Sequence, residues 1–193
     1  MYFPITAVVS LTVDHADGSG VDFALVGREG FVGFFRFLPK PVVLGSATVQ
    51  CPGTLYRVQA DIALAFFDRS VAFRRLLMEY MQTLVVEAAQ NSSCYRHHSI
   101  EQQLCRSLLT YMDRQQSQQL HLTHEMLARS LGVRREGVTL AARRLSDLGM
   151  IRNTRGSIEI LSPMGLKSRS CECYHVLMEM RHTSFVPPRS PFA

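Results

Sequence analysis

From residue 7 to residue 59 the apolar positions fall in short β-branched runs separated by turn residues. AVVSLTV (7–13) is followed by the turn-rich DHADGSG and then VDFALVG (21–27), a pattern that predicts a β-hairpin. Further strands are predicted at Phe31–Phe37, Val42–Gln50 and Leu55–Gln59, punctuated by Gly27, Gly30, Gly33, Pro39, Pro41 and Pro52-Gly53. About five short strands at this spacing predict a β-roll or a partly open barrel.

The period then changes. Ala60–Asp68 predicts a short helix, and Ser70–Arg96, free of Pro and Gly, a long one. Leu77, Met81, Leu84, Ala88, Asn91 and Tyr95 recur at alternating four- and three-residue steps, the seam of a two-helix coiled coil. That seam predicts a homodimer. Met78, Val85 and Val86 offer a second apolar surface. A single buried helix without a partner is the alternative. Ser99-Ile-Glu-Gln102 is a capping box, so a new helix is predicted after a boundary near residue 98. Its inner face is Ile100, Leu104, Leu108 and Met112. The polar stretch Arg114–Gln119 ends it, and Leu120–Leu122 reads as a short strand.

Residues 122–161 have the pattern of a helix, a glycine turn, a basic helix and a hairpin, which is the layout of a winged helix-turn-helix. Thr123 is a suitable N-cap, with Glu125 in the first turn favoured by the helix dipole. Leu127, Ala128 and Leu131 form the inner face of the first helix, and Gly132 stands where the chain must turn. The second helix, Arg134–Leu148, buries Val138, Ala141, Ala142, Leu145 and Leu148, and Gly149 ends it. Strands at Met150–Arg152 and Ser157–Leu161 flank the turn Asn153–Gly156, the wing.

The outward face of the second helix carries Arg135, Glu136, Thr139, Leu140 and Arg143, with Arg134 at its start. Arginine suits a bidentate pair with guanine, glutamate accepts from cytosine, and threonine can meet a polar edge or a thymine methyl. Arg143, Arg144 and Arg155 are placed for phosphates, which position the protein without specifying sequence. The free amides at the helix start of Thr123 could also hold a phosphate.

Charge supports this assignment. The chain of 193 residues has a net charge of +5, with 47% hydrophobic and 19% charged residues. Residues 1–119 carry ten basic and ten acidic side chains, residues 120–169 nine and four, and the remainder two and two. The entire excess lies in the segment expected to meet a polyanion. Composition places the chain among globular proteins. No apolar run is long enough for a membrane span, and the N-terminus has no signal-peptide pattern. Five cysteines without a disulfide-framework spacing point to a reduced, cytoplasmic protein.

Several segments together resemble the Crp/Fnr superfamily of bacterial transcription regulators. They are YFP (2–4), VGREGFVG (26–33), RHHSIEQQLCR (96–106), LGVRREGVT (131–139) and CECY (171–174), and the likeness spans nearly the whole chain. The nearest likeness is to the branch carrying the LGVRREGVT recognition segment. The resemblance implies an α+β protein: a cyclic-nucleotide-binding-like β-roll, here partial, a long dimerisation helix and a C-terminal winged helix-turn-helix. The implied divisions are 1–69, 70–98 and 99–182, with 183–193 a disordered tail. It implies base reading by Arg135-Glu136 and a phosphate contact by Thr123. The implied partners are double-stranded DNA, a second copy of the chain and RNA polymerase. The departures are informative. A second base-contacting arginine of the cyclic-AMP-binding members falls at Leu140, so the target sequence should differ. The nucleotide-binding loop has Phe34 where a glutamate is needed and no Arg-Ser pair, so cyclic-nucleotide binding is not expected. The cysteine cluster of the iron–sulfur oxygen sensors is absent, and the first strands of the family's roll have no counterpart, which suggests an N-terminally shortened chain whose effector is unknown.

Other constellations carry less. Cys94 with His97-His98 raises a metal site, but adjacent histidines at a helix end point in different directions and no second cluster is visible. Cys171-Glu-Cys173 lacks the two-residue spacing of a zinc or redox pair, and in a helix its thiols diverge. No metal, cofactor or catalytic constellation is therefore expected. The competing reading of the whole is a ligand- or redox-responsive module whose helix-turn-helix binds protein instead of DNA.

Overall fold

The computed structural model describes residues 1–38, 40 and 45–184, the last four by their backbone. The chain begins with a strand roll, continues into a long helix and ends in a compact helical unit with a three-stranded sheet.

The predicted hairpin forms as β2 (Val8–Asp14) and β3 (Gly20–Val26), antiparallel with Val9 opposite Val26. β4 (Gly45–Cys51) pairs on the other edge of β2, giving the order β3-β2-β4. β1 (Tyr2–Pro4) pairs separately with β5 (Leu55–Arg57). β2 is buried at five consecutive positions, so neither of its faces meets solvent there. Residues 42–44 of the predicted Val42–Gln50 strand lie outside the described residues, as does most of the tail Thr183–Ala193.

Phe31–Phe37 is not a strand. Gly33 has φ 107°, a left-handed conformation that breaks extended backbone, and Phe34–Phe37 then forms a 3-10 helix. Aromatic packing holds this turn: Phe31 meets Phe3, Phe37 and Tyr80, and Phe37 meets Phe67. Only Val32 keeps a bridge, to Tyr2.

α1 (Ala60–Arg69) leads into α2 (Val71–His97), capped by the Ser70 side chain. The capping box at Ser99 is formed as expected. Its hydroxyl accepts from the Gln102 N–H, and the Gln102 side chain accepts from the Ser99 N–H. α3 (Ile100–Gln115) follows, the most buried helix of the chain.

The face that α2 buries is the expected seam, but its own chain covers it. Leu77, Leu84 and Asn91 are buried within their own chain, and Tyr95 hydrogen-bonds to carbonyls of Asp22 and Ser130. Met81 and Ala88 are half-buried. The four- and three-residue steps therefore mark the side of α2 that its own chain covers, with Leu84 completing the roll's apolar cluster and Asn91 bonded to the Phe23 carbonyl of β3. Val71, Met78 and Val85, spaced by sevens, form an exposed line, and Leu76 is exposed on another side of the helix. No described helix is long and apolar enough to cross a membrane.

Residues 119–169 build β6 (Gln119–Leu120), α4 (His124–Leu131), α5 (Arg135–Asp147), β7 (Ile151–Thr154), β8 (Ser157–Ile160) and α6 (Pro163–Arg169), with the sheet order β6-β8-β7. α7 (Cys173–Ser184) returns to pack on α2 and α3. One continuous core joins Leu104, Leu108, Leu127, Val138, Leu145, Ile158 and Leu166.

Candidate nucleic-acid interface

Local chemistry sets the geometry of α4 and α5. The Thr123 hydroxyl accepts from the Met126 N–H at 3.1 Å, which caps α4. Gly132 ends it with φ 64°, and the Val133 N–H returns to the Ala128 carbonyl at 3.0 Å, closing the helix as a C-terminal cap does. A side chain at Gly132 would be strained by that φ and would press on Val21 of β3. Gly149, with φ 69°, ends α5 in the same way.

α5 buries Val138, Ala141, Ala142 and Leu145 and leaves its opposite side in solvent. On that side Arg135, Glu136, Thr139, Leu140 and Arg143 line a single shallow depression. Arg134 is the N-cap of α5 and faces a crevice shared with the β2–β3 hairpin. A separate groove of about 540 Å³ runs between the start of α4 and the wing, lined by Thr123, His124, Arg135 and Arg155 among others. Of the predicted site residues, then, Arg135, Glu136, Thr139 and Arg143 share one face, while Thr123 and Arg155 lie along the adjoining groove. Arg144 is apart from both: its guanidinium lies 3.9 Å from Glu101 of α3, since nine residues after Arg135 is half a turn round a helix.

His124, which the sequence pattern did not single out, bridges the elements of the site. Its Nδ1 is 3.2 Å from the Thr139 hydroxyl and its Nε2 3.3 Å from Asn153 Oδ1, while Asn153 donates to the Ala142 carbonyl. One imidazole thereby ties the first helix to the outward face of the second and to the wing. The contacts span 15 and 29 residues, so no local signal announces them.

The unit is coupled to the roll through buried polar groups. Asp22 on β3 accepts from the Ser130 hydroxyl at 2.6 Å and from Thr12 at 2.8 Å. Burial pushes the Asp22 carboxyl above its ordinary range, and the two hydroxyl bonds partly offset that. Further along the same face of α2, Arg114 donates to Glu29 at 2.9 Å and to both oxygens of Glu87 at 3.0 and 3.1 Å. Asn91 accepts from Arg106 at 2.6 Å and donates to the Phe23 carbonyl.

A family model described as the Crp-like helix-turn-helix domain matches residues 102–169, from α3 through α6. No curated protein matches the chain. Among solved structures, the chain is similar to a CRP/FNR-family transcriptional regulator of Thermus thermophilus, with TM-score 0.72 and 21% identity over 88% of this chain and 86% of that one. A CRP-family transcriptional regulator of the same organism gives TM-score 0.66 and 17% identity over 88% and 86%. The c-di-GMP responsive global regulator of Xanthomonas campestris gives 0.65 and 17% over 82% and 83%. The fold is thus that of Crp/Fnr proteins, a β-roll joined by a long helix to a C-terminal winged helix-turn-helix.

Proposed function

We propose that the protein is a sequence-specific DNA-binding regulator of transcription in the Crp/Fnr superfamily. The observation that carries this reading is the exposed set Arg135, Glu136, Thr139 and Arg143 on one face of α5, beside a groove edged by the basic wing. Those side chains have the chemistry to read base edges from the major groove. Thr123, Arg134 and Arg155 would hold phosphates on either side, and the basic excess of residues 120–169 would supply the non-specific part of the affinity. Arg144, held near Glu101, is left a minor role.

The active form in this reading is a dimer that uses α2. Its partner surface is the exposed line Val71, Met78 and Val85, because Leu77, Leu84 and Asn91 are buried within their own chain. Residues 1–69 form the effector-type roll, 70–98 the dimerisation helix and 99–182 the reader. Phe34 packs against the roll's apolar cluster, which favours a roll that does not take a cyclic nucleotide through the family's carboxylate.

Selection of random duplexes by the purified chain, followed by footprinting, tests the proposal. The expected product is a site of two half-sites about one helical turn apart, bound with an affinity that falls steeply with salt. Enrichment of no common sequence, with retention of an acidic protein partner instead, would favour the interaction-module reading.

A further inference from the structure

Two stretches far apart in the chain converge: the end of α2 with the elbow that follows it, and the start of α7. They bring together Cys94, His98, Cys171 and Cys173, whose ligand atoms all lie within 4.8 Å of one another. The Cys94 and Cys171 sulfurs are 3.5 Å apart, and the Cys173 sulfur is 3.6 Å from His98 Nδ1. The three cysteines form their own buried cluster, none more than 2% exposed. Cys171 precedes the first turn of α7 while Cys173 begins it, so the two thiols do not diverge as they would within a helix. His98 has left α2, with φ −108° and ψ 153°, which lets its ring turn towards Cys173.

We propose that these four side chains bind one zinc ion as a closed Cys3His structural site. A tetrahedral zinc with bonds of about 2.3 Å to sulfur and about 2.0 Å to nitrogen sets its donor atoms about 3.5–3.8 Å apart. The separations of 3.5 and 3.6 Å already have that size. Thiolate and imidazole donors select zinc over magnesium or calcium, and the set is too tight to enclose a multi-iron cluster. An outer layer is also present. Nε2 of His98 lies 3.3 Å from Glu172 Oε1, which fixes the tautomer that presents Nδ1 to the thiols, and Gln90 donates to the Cys173 sulfur at 3.0 Å. Gln103 donates to the His98 carbonyl at 2.8 Å and steadies the elbow. On binding, three thiols release three protons to solvent and zinc takes the three thiolates and the neutral imidazole, with no change of oxidation state. The ion staples α7 to the α2–α3 elbow.

The experiment is metal analysis of the full chain purified under reducing conditions without chelator, then exchange with cobalt. About one zinc per chain is expected, and the cobalt form should show tetrahedral visible bands with thiolate charge transfer. Glu172→Ala should weaken zinc about 10–100-fold while leaving the fold intact. Should Cys173→Ser fail to fold, His98→Cys still decides: it should keep one cobalt per chain with stronger thiolate charge transfer. Failure of the wild type to take up close to one zinc or cobalt, an octahedral cobalt spectrum, or a Cys94–Cys171 disulfide in place of the metal would overturn the proposal.

Discussion

The reader, residues 99–169, and the strand roll, residues 2–57, are stabilised by different means. The reader holds the larger apolar core, continuous from Leu104 in α3 through Leu145 in α5 to Leu166 in α6, and Val8, Leu25 and Cys51 of the roll join it. The roll's own cluster is small, with Val9, Leu11, Ala24 and Val26 completed by Leu84 of the long helix. It leans on α2 through the buried Arg114–Glu87–Glu29 group and on α4 through Asp22. Apolar packing is non-directional and tolerates small movements, whereas buried polar contacts demand one geometry. The two units meet along a seam of such buried polar contacts, at Asp22 and at the Arg114 group.

The sharpest way to break the comparison is Arg114→Ala. It takes the cation from buried Glu87 and half-buried Glu29 and should cost about 3–5 kcal/mol in chemical denaturation. The loss should appear as early melting of the roll while the reader's helices persist. A loss below about 1 kcal/mol, cooperative across both regions, would mean that the roll does not depend on the long helix.

Arg135→Ala acts at the opposite end. It should leave the melting temperature near that of wild type and weaken binding to the selected duplex by about 1–3 kcal/mol, with relaxed preference at one base pair. Equal weakening on every sequence would make Arg135 a phosphate contact.

Asp22→Asn gives the smallest effect and reports on the seam itself. The native carboxyl binds its proton more tightly than the unfolded one, so the folded state holds more protons over the range from 3.8 up to the raised native value. Stability from this group is therefore lost as pH rises through that range. The variant, neutral throughout, should match wild type below it and melt higher above it. Parallel melting curves at all pH values would show that Asp22 ionises without cost.

Within the reader, the sequence was legible because its signals are local. Ser99, Thr123 and Gly132 each act on backbone within a few residues, and the apolar spacing of α5 needs only its own turns to be read. The roll was legible as strands but not in detail. Phe31–Phe37 carries strand-forming residues, yet Gly33 and the aromatic contacts to Phe3, Phe67 and Tyr80 fold it into a turn. Periodicity in α2 located an apolar seam correctly and left its occupant open, since one stripe fits a partner helix or the chain's own sheet.

By itself, then, the sequence determined the first hairpin, the long helix, the helix-turn-helix and the outward Arg135-Glu136-Thr139-Arg143 face, because hydrogen-bond capping and helical and strand periods are short-range. Tertiary structure alone decided what covers the seam of α2. It turned Arg144 towards Glu101, bridged His124 to Asn153, and gathered Cys94, His98, Cys171 and Cys173 into one shell. Those outcomes depend on contacts between residues up to 77 positions apart. For the Cys/His shell, it is the packing of α7 against α2 and α3 that brings the four side chains within a few ångströms of one another.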